Sequence, residues 1–307
     1  DGIDAALGLW AQRAASVSDE WRTELSAGTF GELTGDPSVD QPVLDEWARR
    51  RTGGLIDRFP VQAGPELMLT LATAVALRTT WVKAFTDEPM KPADGPWRGR
   101  NLAGLARTTP DVDDLRVADA AGGAITVTTI AGDNGLDVRL VLGAPGLGPA
   151  DVLPVAVDVL AGDVPSTTGS ALLDREDEPV APGVATVVTA RPSLATRTVR
   201  FTVRAEHDLV KNAAIFGLKE VCRGGGHFSR IGPVPLQVDQ ARQAAVAIFS
   251  AVGFEAAAVT AIGLRVASMP VLNARGLAVT YDRPFGFLAT HRATGLIVFG
   301  GWVTDPE

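Results

Sequence analysis

The chain has little from which to build covalent or metal cross-links. A single cysteine, Cys222, among 307 residues excludes an internal disulfide and a cysteine-rich metal cluster. The three histidines, His207, His227 and His291, lie far apart without metal-ligand spacing, so each reads as a surface or strand-end residue and no metal site is expected. Lysine is scarce, with four among 28 basic residues, and 36 acidic residues bring the net charge to −8. Such a surface repels phosphate backbones, and with no basic patch in view no nucleic-acid partner is expected. Long apolar runs are nearly absent. The exception is Ala244 to Leu264, whose only charge is Glu255. Its alanine richness, its two glycines and a mid-segment carboxylate costing about 2.5 to 3.5 kcal/mol argue against a membrane span. The opening Asp-Gly-Ile-Asp is neither basic nor apolar, as a secretory leader would be, and such a leader is removed on maturation.

The spacings of common catalytic motifs are missing as well. There is no G-x-S-x-G elbow, H-E-x-x-H, Walker lysine loop or G-x-G-x-x-G after a strand. Gly143, Gly146 and Gly148 are wrongly spaced for a dinucleotide loop and are split by Pro145, which suits a surface turn. Cys222 and His227 could share a loop, but no orienting acid is identifiable, and a lone cysteine after an apolar stretch reads as a small core residue. The chain is therefore expected not to be an enzyme, to have no catalytic residues and to need no cofactor.

What is present is a mixture of strand and helix signals without a repeating strand-helix-strand rhythm, and hence an α+β class. The pattern predicts a strand over Ala5 to Ala11, a polar helix near Glu20 to Leu25 and a second helix capped by Asp40. In the second helix Val43, Leu44 and Trp47 share a face, three arginines suit the negative end of the dipole, and Gly53 with Gly54 ends it. Leu67 to Leu77 is almost continuously apolar and predicts a strand buried on both faces. Ile125 to Ile130 and Leu136 to Leu142 form a hairpin through Asp133, Asn134 and Gly135. Gly143 to Arg197, rich in Pro, Gly, Ala and Asp, is expected to hold only short elements. A strand at Val199 to Val203 and a short helix at Leu209 to Leu218 follow. The last three strands are Gly276 to Tyr281, Phe285 to Thr290 and Leu296 to Trp302, with a tight turn at Arg292 to Gly295.

The segment Gly253-Phe254-Glu255-Ala256-Ala257-Ala258-Val259-Thr260 is nearly all small side chains. Propensity alone favours a helix. As a strand it would place Phe254, Ala256, Ala258 and Thr260 on one face, and small residues can slip between existing strands. Its surroundings favour the strand-forming alternative. The segment resembles the serpin hinge, usually G-T-E-A-A-A-A-T, and Tyr281-Asp282-Arg283-Pro284-Phe285-Gly286-Phe287 is similar to that family's A-D-H-P-F-x-F. His291 to Val303 resembles H-N-x-T-G-x-I-L-F-x-G-R-V, and Phe228 to Ile231 resembles D-F-S-G-I. Ala72 to Phe85 resembles N-A-I-Y-F-K-G-T-W-x-x-x-F, and Trp47 to Ile56 resembles W-V-x-x-x-T-N-G-K-I.

The resemblance implies a single serpin-like domain over residues 1–307 with a large central mixed sheet, flanking helices, additional sheets and an exposed reactive-centre loop near 252–275. The helices that usually precede the first strand have no counterpart in this sequence, so the domain is expected either to be N-terminally truncated relative to the family or to have those helices on a piece outside this sequence. By the same resemblance the chain is a suicide-substrate inhibitor of serine proteases, monomeric, not membrane-bound, and extracellular rather than cytoplasmic. A non-inhibitory serpin-like binding or carrier protein is the alternative. Counting the family's loop length from Gly253 puts the reactive bond between Ala267 and Ser268, which suits an elastase-like or subtilisin-like pocket; Arg265 and Val266 form the competing, trypsin-like bond. Four positions of the sheet-opening region and the breach bear on insertion. Thr73 and Gln243 replace asparagine and histidine, Ala251 replaces a glutamate, and Arg200 matches the base that glutamate usually pairs with. Phe254 stands in place of a small threonine, on the face that enters the sheet first, and is expected to brake insertion.

Overall fold

The computed structural model describes residues 3–175, 181–254 and 273–307. The chain divides into two compact units, one formed by Ile3–Leu77 with Arg204–Val246, the other mainly by Arg78–Val203 with Ala247–Glu307.

In the first unit, β1 (Ile3–Gln12) pairs parallel with β2 (Phe30–Leu33) and antiparallel with β3 (Leu69–Leu77), in register from Ile3↔Leu77 to Ala11↔Leu69. One face of this sheet carries Trp10 and Ala74 against Leu44, Trp47 and Phe59. The indole of Trp10 meets Trp47 edge-on at 5.0 Å and Phe59 at 5.7 Å. It lies so close to Gly8 and Gly31 that a Cβ at either would come within 2.3 Å of its ring, so only glycine leaves room for it. The expected burial of β3 on both faces is not found. Leu71 and Val75 are 59% and 49% exposed, while Ala74 and Ala76 are buried. The small residues of the alternation face the tryptophan cluster and the larger ones face away, an order that an apolar run does not reveal.

Helix α1 (Asp19–Thr23) starts on Ser18, whose hydroxyl accepts from the Trp21 amide. Helix α2 (Pro37–Arg51) is capped by Asp36, not by Asp40. Asp40 lies inside the first turn, buried, and its carboxylate accepts from the Thr34 amide and hydroxyl and from the Gly35 amide, each at 2.9 Å. Leu44 and Trp47 share the buried face as expected, but Val43 is half exposed. The expected helix at Leu209 to Leu218 is reduced to a 3₁₀ turn, Val210–Asn212, because Gly217 turns to a φ of 67° and so short a segment gains little from propensity alone.

The second unit begins with β4 (Thr79–Thr80), β5 (Thr86–Asp87), β6 (Gly104–Thr109) and β7 (Leu115–Ala120). The expected hairpin follows as β8 (Gly123–Ala131) and β9 (Leu136–Gly143), with Gly135 at a φ of 87° in its turn. The proline- and glycine-rich stretch after it holds more structure than expected. It contains α3 (Pro149–Ala161), β10 (Thr167–Thr168), α4 (Gly169–Leu173), β11 (Val184–Thr189) and β12 (Leu194–Val199). In α3 proline sits at the start and Gly162, at a φ of 87°, at the end, where both are favourable.

The strand expected over Val199 to Val203 is two strands. β12 stops at Val199 and β13 (Phe201–Asp208) starts after Arg200, whose amide donates to the Ala103 carbonyl. β14 (Arg242–Phe249) and β15 (Gly253–Phe254) come next, then β16 (Ala274–Thr280), β17 (Phe285–His291) and β18 (Ile297–Val303).

The strand orders are β10-β7-β8-β9-β17-β18, β11-β16-β12-β6-β5, β13-β14-β15-β4 and β2-β1-β3. In the six-stranded sheet α3 covers one face through Val152, Ala156 and Val159 against Ile125, Val127, Val141 and Leu288. Arg292, in the last turn, donates to Asp137 of β9 and to the Gly132 carbonyl, closing that hairpin onto the β8–β9 turn. Among the described residues no helix is long and apolar enough to cross a membrane, and the described part of the apolar run after Ala244 belongs to β14 and β15.

Candidate functional site

The residues at the start of the expected hinge lie in the sheet. β14 ends at Phe249, the chain reverses through Ser250 to Val252, and β15 returns antiparallel with Phe254 opposite Phe249. On its other side Gly253 pairs with Thr80 and Phe254 with Thr79 of β4. The turn is closed by the Ser250 amide and hydroxyl, which donate to the Gly253 carbonyl at 2.9 and 3.0 Å. Three donors from the segment after β4 grip it. The Trp81 indole N–H donates to the Ser250 carbonyl at 2.9 Å, the Trp81 amide to Val252 at 3.0 Å, and the Phe85 amide to Ala251 at 2.8 Å.

An aromatic cluster packs around the same turn. Phe249 stacks on Phe201 at 5.1 Å and touches Trp81 at 4.9 Å and Phe85 at 5.7 Å. Phe254 is 3% exposed and meets Phe287 at 6.1 Å, and Phe287 in turn meets Phe201 at 5.1 Å. Arg107 lies over the Phe85 ring and donates to the carbonyls of Lys83 and Thr129; burial pulls its pKa down to about 10. β4 is tied in its turn to the β8–β9 hairpin, since Val82 donates to Ala131, Asp133 to Thr80, and the Asn134 side chain to the Arg78 carbonyl.

Arg200 and Ala251 are brought to one short segment. With no carboxylate at 251, the Arg200 guanidinium pairs with Asp87 at 2.8 Å, two residues beyond the Phe85 that holds the Ala251 carbonyl. Thr73 and Gln243 are both exposed; Thr73 stands opposite Leu7 in β3, and Gln243 lines a cleft of about 420 Å³ with His207, Lys211 and Arg242. No described hydrogen bond joins these two. Glu255, Ala256, Ala257, Ala258, Val259 and Thr260 of the hinge lie outside the described residues, as do both candidate bonds, Ala267–Ser268 and Arg265–Val266. At its two ends the expected loop, 252–275, overlaps β15 and the first residues of β16.

Cys222 is half-buried and the His227 ring is engaged with the Gly224 carbonyl at 3.1 Å. Among the described residues no cluster of His, Cys, Asp and Glu could hold a metal ion. Sequence reasoning missed Trp81, Phe85 and Asp87 as parts of the site. Trp81 and Phe85 carry a motif match, but nothing in their spacing says that their backbone donors reach a turn some 170 residues away.

The family model described as Serpin (serine protease inhibitor) matches residues 192–306. No curated protein matches the chain in sequence. Among solved structures the chain is similar to a serpin from the trematode Schistosoma haematobium, with a TM-score of 0.70 at 13% identity, covering 100% of this chain and 74% of that one. It is also similar to thyroxine-binding globulin in complex with thyroxine (TM-score 0.69, 14% identity, 100% and 77% covered) and to uncleaved ovalbumin (0.68, 16%, 99% and 77%). At such identities the likeness speaks for the fold.

Proposed function

We propose, from a serpin-like fold and a match of residues 192–306 to the serpin family model, that the chain inhibits a serine protease as a suicide substrate. One observation carries the reading. β15 starts a strand beside β14 but pairs with it only at Phe249, so the β14 edge from Arg242 to Ile248 has no strand partner on that side among the described residues. Residues following Phe254 could extend β15 along it.

In this mechanism the protease serine adds to the carbonyl of the bait residue, the following peptide bond breaks, and the new amine leaves with a proton. An ester then joins inhibitor and enzyme. Insertion of the hinge competes with hydrolysis of that ester, and the faster step decides between a trapped enzyme and a cut loop. A small bait at Ala267 suits an elastase-like or subtilisin-like enzyme, and the setting we propose is extracellular. The Arg200–Asp87 pair supports retention of a charge clamp near the turn despite alanine at 251.

The test is a denaturing gel of the chain with a small panel of serine proteases. A detergent-stable band at the summed mass is expected with an elastase-like or subtilisin-like member. Cleavage with no such band from any member favours the second reading, a serpin-like binding or carrier protein. That reading draws on the thyroxine-binding globulin likeness and on the departures at Thr73, Gln243, Ala251 and Phe254.

A further inference from the structure

We infer that Phe254 is an aromatic lock that holds the first two hinge residues inside the sheet of the intact chain, and that its release is a conformational step separate from loop cleavage. An aromatic at this position reads from sequence as an obstacle to the first inserted pair. In the structure Phe254 is a member of that pair, buried at 3% exposure, opposite Phe249 and against Phe287. Its backbone lies between β14 and β4, so withdrawing the hinge would open both pairings and expose an aromatic ring. The turn behind it is gripped by Trp81 and Phe85 through main-chain carbonyls, and the Phe254 ring is the hinge side chain that anchors the strand and its turn to the aromatic cluster.

The lock concerns the uncleaved chain alone and stands or falls without a protease, so its failure is distinguishable from failure of the inhibitory reading. The test is amide hydrogen exchange on the intact protein, read at Trp81, Phe85 and Ser250, whose N–H groups donate to or within the turn. These amides are expected to be protected as strongly as those of the β8–β9 hairpin. In Phe254→Ala their exchange is expected to rise about tenfold or more while β8 and β9 are unchanged, as in a local opening. Phe254→Leu, which keeps an apolar side chain, is expected to restore most of the protection. Rapid exchange at the three amides in the unaltered protein overturns the lock without any variant. Unchanged exchange in Phe254→Ala overturns it equally.

Discussion

Single charged side chains set the pH response of the second unit. Asp137 is 3% exposed and is satisfied by Arg292 and Arg139, whereas nearby Asp114 is only half-buried and lacks so close a partner. Burial raises the Asp114 pKa from 3.8 to about 6, with Arg107 and Arg139 opposing the rise and Asp111 and Asp137 adding to it. The folded pKa lies above the unfolded one, so the folded state binds more protons between about pH 4 and pH 6. Stability from this group is therefore present below about pH 4 and lost as pH rises through 6. Asp114→Asn is expected to stabilise the protein at pH 7 by about 1 kcal/mol, the shift being discounted for the solvent that reaches the group. Urea unfolding at pH 4 and pH 7 checks this, with the gain expected to vanish at the lower pH. A gain of equal size at both would show that charge is not its cause.

Among the elements, the β8–β9 turn shows how closely β4 is held. A Cβ at Gly132 would stand 2.0 Å from the Thr79 hydroxyl and 2.2 Å from the Leu136 carbonyl, and the second of these is backbone that cannot rotate away. Gly132→Ala is expected to cost about 1–3 kcal/mol by such overcrowding, read as a lowered melting temperature. Adding Thr79→Ala removes only the hydroxyl conflict, so a full rescue by the double variant would show that the backbone contact does not limit the site. The same elements show what a sequence displays. β8, β9, β17 and β18 were legible because alternation and turn residues agree, with Gly135 and Gly295 both at positive φ. Helix α3 was hidden by its own punctuation, since Pro149 and Gly162 at its ends and Pro154 inside it read as loop composition. β6 was hidden by Arg107, a buried charge in mid-strand, and β2 by its brevity. At the site the sequence motif singled out Gly253 and Phe254, but the grip of Trp81 and Phe85 on the turn and the pairing of Asp87 with Arg200 depend on contacts no local pattern encodes.

At the scale of the whole molecule, the proposed function requires the intact fold to be short of its most stable state. β14 is eight residues long, yet among the described residues only Phe249 is paired on the β15 side. If the hinge extends β15 after cleavage, backbone hydrogen bonds form along the positions from Arg242 to Ile248. At about 0.5–1.5 kcal/mol net for each bond the gain is several kcal/mol, before any side-chain burial. For a chain of this size that corresponds to a rise in melting temperature on the order of 10 °C or more. The prediction is that limited digestion by an elastase-like or subtilisin-like protease yields a nicked protein that melts at a clearly higher temperature than the intact one. Mass spectrometry of the released fragment is expected to show a new N-terminus at Ser268. A terminus at Val266 would instead make Arg265 the bait and a trypsin-like enzyme the target, leaving the insertion argument intact. A nicked protein that melts no higher than the uncut chain would remove the driving force on which the trap depends, wherever the cut falls.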